Sequence, residues 1–260
     1  MLSITEKNIS YSHNTDVMPD RRNFYKHSHN MYELLLFLDG DADFVVESNT
    51  FKLQPFDLLL IKPAQYHFLK INSEKRYDRF IINFAESIVP NQLLPALQTS
   101  GGLFRLSKDS GLIAAFYKLD GFCKTFSDDD KRLMLKTTLS EILMLLKYLN
   151  YVPNGGTAAI NPAADRIIDY INGNITEPLD MAAIARGLFI SESCLSHVFT
   201  KFFHIGVMQY VRQKKILYAQ NLIKSGLNPT KAYLACGFTN YATFYRAYKN
   251  VLKLKPEDDK

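Results

Sequence analysis

The sequence predicts an α+β chain of two domains, an antiparallel β-barrel followed by an all-helical module. Three observations predict it. Between Met31 and Phe84, short apolar runs alternate with turn residues at strand spacing. From Asn161 onward, apolar residues recur at helical spacing instead. Within that second half, one helix-loop-helix pattern occurs twice. At 260 residues, two domains could each bury a core. The 18 Phe and 15 Tyr argue against disorder.

The barrel strands follow in order. Glu33–Leu38 ends at Asp39-Gly40-Asp41, and Phe44–Val46 at Ser48-Asn49. Phe51–Leu53 leads to Gln54-Pro55-Phe56-Asp57, and Leu58–Ile61 stops at Pro63. His67–Ile71 and Arg79–Phe84 complete the set. Such a barrel or jelly roll offers its mouth to a small ligand. Residues 1–26 read as a polar, irregular arm with an entering strand, and 86–107 as mixed loop. Two helices follow, about 110–126 and about 128–149. Three aspartates open the second, where they suit the positive end of the helix dipole. Leu135, Leu139, Ile142, Leu146 and Leu149 repeat in a coiled-coil rhythm, which favours a dimer contact over packing on the barrel. Val152-Pro153-Asn154-Gly155-Gly156-Thr157 is the best linker, placing the domains at 1–152 and 162–260 with 153–161 between them.

The helical module opens at Asn161-Pro162, with a helix to about Asn174 that turns Ile167, Ile168 and Ile171 inward. Met181, Ala182, Ile184, Ala185 and Leu188 mark a short helix, with Gly187 expected as its left-handed stop. Ser191 caps the next helix, whose apolar stripe is Leu195, Val198, Phe199 and Phe202. Asn228 and Pro229 start the second copy, with Ala232, Ala235 and Phe238 buried and Gly237 as its stop. Its partner helix opens near Asn240, with Phe244, Ala247, Tyr248 and Val251 inward. Aligned on Gly187 and Gly237, the second copy has a turn one residue shorter. Two helix-turn-helix patterns in register, joined by a helix from Val207 to Ser225, are a strong signal. The segment 256–260 reads as a frayed tail.

Charge agrees with this division. Residues 1–159 carry 18 basic and 18 acidic side chains, whereas residues 160–260 carry 13 and 8. The whole excess of +5 therefore sits on the helical module, which suits an anionic polymer bound at that end. Cys123, Cys194 and Cys236 are widely spaced and read as free thiols of a reducing cytoplasm. No signal peptide or membrane-spanning run is expected. No phosphate-cradling glycine loop or nucleophile motif points to catalysis.

The motifs resemble the AraC/XylS family of transcription regulators. They are Leu179-x-x-x-x-Ile-Ala, Ser191-x-x-x-Leu-Ser-x-x-Phe, Ala235-x-Gly-Phe and Phe244-Tyr-Arg-x-Tyr-Lys. The family's closing Gly-x-x-Pro reads Lys253-Leu-Lys-Pro256, without its glycine. His27-Ser28-His29, Tyr32-Glu33-Leu34, Pro55-Phe56-Asp57 and Pro63-x-x-x-His67 look like the family's cupin-type effector domain, with Phe56 at the usual glycine. The resemblance implies a cytoplasmic, homodimeric activator of carbohydrate genes that binds double-stranded DNA, RNA polymerase and an effector such as a sugar.

Residue by residue, the resemblance implies base reading by Ser193, Ser196 and His197 and by Tyr241, Ala242, Tyr245 and Arg246. A guanidinium can bond guanine bidentately, so Arg246 is the strongest candidate. Lys201, Lys214, Lys215 and Lys249 are expected on phosphates. A connecting helix of roughly 19 residues would span about 28 Å, close to the spacing of about 34 Å between successive major grooves. His27, His29, Tyr32, Glu33, His67, Tyr77 and Arg79 are the effector-site candidates. His27, His29, Glu33 and His67 have the types and order of a cupin metal set. They keep open a metal-dependent enzyme fused to a DNA-binding module, although neither metal nor cofactor is expected. A constitutive DNA-binding protein with an unliganded barrel is the third reading.

Overall fold

The computed structural model describes residues 2–19, 28–47, 49–98, 102–149, 162–203 and 205–258. It forms two compact units, one holding the strands and the first two helices, the other the remaining helices. His27 and the expected linker 153–161 lie outside the described residues.

The first unit is an antiparallel double sheet. Strands β1 (Leu2–Glu6), β2 (Ile9–Asp16), β3 (Tyr32–Asp39), β4 (Ala42–Val46), β5 (Asn49–Lys52), β6 (Asp57–Ile61), β7 (His67–Ile71), β8 (Tyr77–Phe84) and β9 (Leu103–Arg105) compose it. The larger sheet runs β1-β2-β8-β3-β6-β9 and the smaller β5-β4-β7. The polar segment 1–26 is therefore not just an arm. Ile9, Tyr11 and His13 alternate with Ser10, Ser12 and Asn14, and β2 pairs along its whole length with β8. That alternation is the mark of a strand with one face buried. The expected loop 86–107 likewise contains two 3-10 turns and the edge strand β9.

The larger sheet is covered on both faces. Leu35, Phe37, Leu59, Ile61 and Tyr77 face Phe44, Val46, Phe51, Leu69 and Ile71 of the smaller sheet. Leu34, Leu36, Leu58, Leu60, Phe80 and Ile82 face helices α1 (Gly111–Thr125) and α2 (Asp128–Lys147). Double burial explains why β3 and β6 read as unbroken apolar runs. It also corrects the reading of α2. Leu135, Leu139, Ile142 and Leu146 are at most 2% exposed, packed within their own unit. Those four residues are taken up by packing on α1, β1 and the turn 91–97 and are not available to a coiled-coil seam; Leu149, the last of the stripe, is 37% exposed.

Polar groups brace α1 against the sheet. His13 places Nδ1 2.5 Å from Asp120 Oδ2 and Nε2 3.0 Å from Asp78 Oδ1. The Tyr11 hydroxyl donates to Asp120 at 2.6 Å. Burial works to raise the Asp78 carboxyl, but hydrogen bonds from Arg76 and Thr15 and the charge of His13 hold it below the usual range.

The second unit comprises α3 (Pro162–Gly173), α4 (Met181–Leu188), α5 (Glu192–Phe203), α6 (Val207–Lys224), α7 (Pro229–Ala235) and α8 (Tyr241–Leu252). Helices α3, α4 and α5 pack together around Ile167, Ile171, Ile184, Leu195 and Phe199. Phe199 and Phe203 then meet Tyr210 at the start of α6. Beyond it, Ile216, Ala219, Ile223, Ala232, Cys236, Phe244 and Tyr248 form the core of the second helix-turn-helix. Cys236 takes the inward position expected for Ala235, which is exposed.

Candidate nucleic-acid interface and effector site

Both helix-turn-helix motifs have the expected caps. Ser191 Oγ accepts from the Cys194 amide at 3.1 Å, and Asn240 Oδ1 from Thr243 at 3.1 Å. Asn228 caps α7 ahead of Pro229. The turns differ from expectation. Gly187 lies inside α4, and the left-handed residue ending that helix is Phe189, at φ 57°. The neighbour of Gly187 is the hydroxyl end of the Tyr170 side chain, which a Cβ there would push aside. In the second copy Gly237 itself is left-handed, at φ 67°. Aligned on these left-handed residues, Phe189 is six positions before the core residue Leu195 and Gly237 seven before Phe244. The second turn is thus the longer one, because the alignment on Gly187 used a glycine with a different job.

The exposed face of α5 presents Ser193, Ser196, His197 and Lys201. That of α8 presents Ala242, Arg246 and Lys249, with Tyr245 half-buried. Among the described residues Arg246 makes one long contact, Nε to the Ala242 carbonyl at 3.4 Å, and its side chain is exposed. Tyr241 is less available than expected. Its hydroxyl donates to Glu257 at 2.8 Å and its ring meets Tyr233 edge-on. Burial, then the Glu257 hydrogen bond, pushes its hydroxyl up to about 12. Residues 256–258 of the expected frayed tail are therefore docked, with Pro256 buried, and 259–260 lie outside the described residues. Lys253, at the position of the family's glycine, still takes φ 59°. Phe56 does the same at φ 72°.

Lys215 cannot meet a phosphate. It is 5% exposed, and its ammonium donates to the carbonyls of Glu177, Cys236 and Gly237 at 2.5, 2.9 and 3.2 Å. Its position on α6 turns it inward, so it satisfies carbonyls that the helix ends leave open. Neighbouring Lys214 is half-buried, its ammonium 5.3 Å from the Tyr210 ring.

In the first unit the effector candidates divide between two faces. Successive residues of a strand point to opposite sides, so Tyr32 and Glu33 cannot share a site. Tyr32 faces the helices, stacked on Phe84 at 5.5 Å with its hydroxyl donating to Glu86 at 2.9 Å. Glu33 faces the interior, its Oε2 3.7 Å from His67 Nε2. His67 Nδ1 contacts the Gln65 carbonyl at 2.9 Å. His29, just ahead of β3, groups with the second unit and is not part of this pair. Tyr77 and Arg79 share the interior side of β8. The Arg79 guanidinium pairs with Asp16 and lies 4.6 Å over the Tyr77 ring.

Sequence reasoning missed the neighbours of this face. Ser10, Ser12, Asn14 and Asp16 alternate with residues that face the helices, and Asn83 pairs with both Ser10 and Glu33. Asn83 Oδ1 is buried without a hydrogen-bond partner among the described residues. The period-two pattern of β2 was the available signal.

Together these features give the second unit a pair of helix-turn-helix motifs and the first a double sheet with a polar interior face. Comparison with known proteins agrees. Residues 15–142 match the family described as AraC-like ligand binding domain, and 184–259 match a helix-turn-helix domain. The chain belongs to the AraC-type family of helix-turn-helix regulators. Its relatives include the HTH-type transcriptional regulator GbdR of Pseudomonas aeruginosa, 23% identical over 38% of this chain. That match spans only 27% of GbdR. YfiF of Bacillus subtilis, an HTH-type transcriptional regulator, is 22% identical over 85% of this chain and 74% of its own. Among solved structures, ToxT from Vibrio cholerae O395 aligns over 97% of both chains at 16% identity, with a TM-score of 0.41.

Proposed function

We propose that the protein is a sequence-specific transcriptional regulator whose DNA affinity responds to a small molecule. The observation that carries this reading is the pair of capped helix-turn-helix motifs, each with an exposed polar face, one bearing Arg246. Helix α6, at 18 residues, is about 27 Å long, so one chain can address adjacent major grooves. Ser193, Ser196, His197, Ala242, Tyr245 and Arg246 are the base-reading set, with Lys201 and Lys249 on phosphates. The domains are 1–152 and 162–260. Mobility-shift titrations with genomic fragments test this: a salt-sensitive, sequence-selective complex is expected, and its absence overturns the reading.

The effector binds the polar interior face, where Arg79, Asn83, Glu33 and His67 supply donors and acceptors suited to a polyhydroxylated metabolite. A sugar, and activation of carbohydrate genes through RNA polymerase in the cytoplasm, is the specific form of this proposal. A thermal-shift screen with sugars tests it, since a ligand of the folded state raises stability by mass action. Loss of that shift in Asn83→Ala would assign the face. The Glu33–His67 pair, with Oε2 and Nε2 3.7 Å apart, favours one second reading, a bound divalent metal. Stoichiometric metal in purified protein would support it.

Dimerisation, if through α2, uses a surface other than the leucine stripe. Leu133, Met144 and Tyr148 lie on one outward side of α2, 63%, 45% and 77% exposed. A stable dimer that Met144→Glu converts to monomer in sedimentation would establish this contact.

A further inference from the structure

We propose that Lys215 fixes the separation and phase of the two recognition helices, and so the half-site spacing on DNA that the protein accepts. The proposal rests on the reading that both helix-turn-helix motifs enter the groove. Lys215 belongs to the connecting helix α6. Its three acceptors come from two other places. Glu177 lies in the segment 174–180 that leads into α4, the first helix of the first motif. Cys236 and Gly237 form the turn of the second motif. One buried ammonium therefore joins the rod, the entrance of the first motif and the turn of the second. A rod alone would hold the two motifs only at its ends; this contact ties them across its side.

A second observation points the same way. A Cβ at Gly237 would collide with the backbone of Thr176 and Glu177. The two motifs thus meet backbone to backbone at the place the ammonium spans. The Phe238 ring closes the site 5.8 Å from Lys215 Nζ, and the Cys236 side chain beside it is fully buried. Burial draws the lysine below its ordinary range and pushes the Cys236 thiol up to about 12. Three convergent carbonyls are what keep a charged ammonium there. They also fix its direction, because they come from two separate stretches of backbone, Glu177 on one and Cys236-Gly237 on the other.

The consequence is a narrow tolerance on DNA. One inserted base pair turns the next half-site by about 35° around the helix. Two linked modules gain affinity over one only while their geometry lets both engage, and that gain is on the order of a hundredfold or more. A locked pair should lose most of it after one or two insertions.

The test is a set of duplexes carrying both half-sites at the native spacing and with one, two and three added base pairs. A single half-site serves as reference, and titrations use the full chain. Wild-type protein should fall on the order of a hundredfold, to the single-site level, within two insertions. Lys215→Met keeps an unbranched apolar stem, one heavy atom shorter, but lacks the donors. It should keep the single-site affinity and bind all spacings to within about tenfold. Lys215→Arg, which retains donors and charge, should restore part of the spacing preference. A Lys215→Met profile as sharp as wild type overturns the proposal. Should Lys215→Met lose single-site binding too, the wild-type series decides alone, and equal affinity across all spacings overturns the proposal. Wild-type protein that never binds two half-sites more tightly than one would instead remove the two-module reading beneath it.

Discussion

The two helix-turn-helix motifs solve one geometric problem with different residues. Each needs a left-handed residue to end its first helix and a polar cap to begin its second. The first motif uses Phe189, which is 92% exposed; the second uses Gly237. The first has room at that turn. The second has none, because Gly237 lies against the backbone of Thr176 and Glu177. Their reading faces differ as well: Ser193, Ser196 and His197 on one, Arg246 and Lys249 on the other. A duplicated fold therefore does not duplicate its constraints. Glycine in the second motif answers to tertiary contact, and the two exposed faces carry different side chains.

The sharpest test of that contrast compares the glycines. Gly237→Ala drives a Cβ into backbone and strains a positive φ, so thermal unfolding should show a loss of about 2–4 kcal/mol. Gly187→Ala meets only the end of the half-buried Tyr170 side chain, which can swing, while alanine favours the helix. It should stay within about 1 kcal/mol of wild type. Equal losses would break the distinction.

Next comes the reading contrast. Arg246→Ala should cost about 1–3 kcal/mol against the native site and relax one base position. His197→Ala should cost less, since imidazole lacks the bidentate fork. Binding titrations against single-base variants of the operator check both, and a larger loss from His197→Ala would reverse the ranking. Lys249→Ala should weaken all sequences alike and reduce the salt slope by about 1. Sequence-dependent loss would place Lys249 on a base instead.

The smallest effect concerns the turns. Phe189→Gly removes left-handed strain without losing buried surface, so stability should rise by about 0.5–1 kcal/mol in denaturant unfolding. Unchanged or lowered stability would mean that Phe189 is held by contacts beyond its backbone.

Much of this was legible in the sequence where local chemistry decides. Asn228, Ser191 and Asn240 are caps because short polar side chains satisfy open amides wherever a helix begins. The strands from β3 to β8 were legible because turn residues frame them. What failed was decided by partners distant in sequence. The α2 stripe has the rhythm of a seam, yet packing on α1, β1 and the turn 91–97 takes four of its five residues. Lys215 looks like any basic helix residue until Glu177, 38 positions away, supplies its carbonyl. Tyr32 and Glu33 look like one site until the pleat separates them. Gly187 looked like a stop because glycine favours a left-handed turn, but the helix runs past it and Phe189 makes that turn. The missing family glycines at Phe56 and Lys253 were visible, but not that the backbone keeps its left-handed turn at both.

Strand β8 carries a last implication. Its odd positions, Arg79 and Asn83, line the polar interior, while its even positions, Asp78 and Phe80, hold His13 and α1 on the reverse. A molecule drawn into that interior would tug on a ribbon whose other side grips a helix. Occupancy and helix posture thus share one mechanical element, and neither can shift without loading the other.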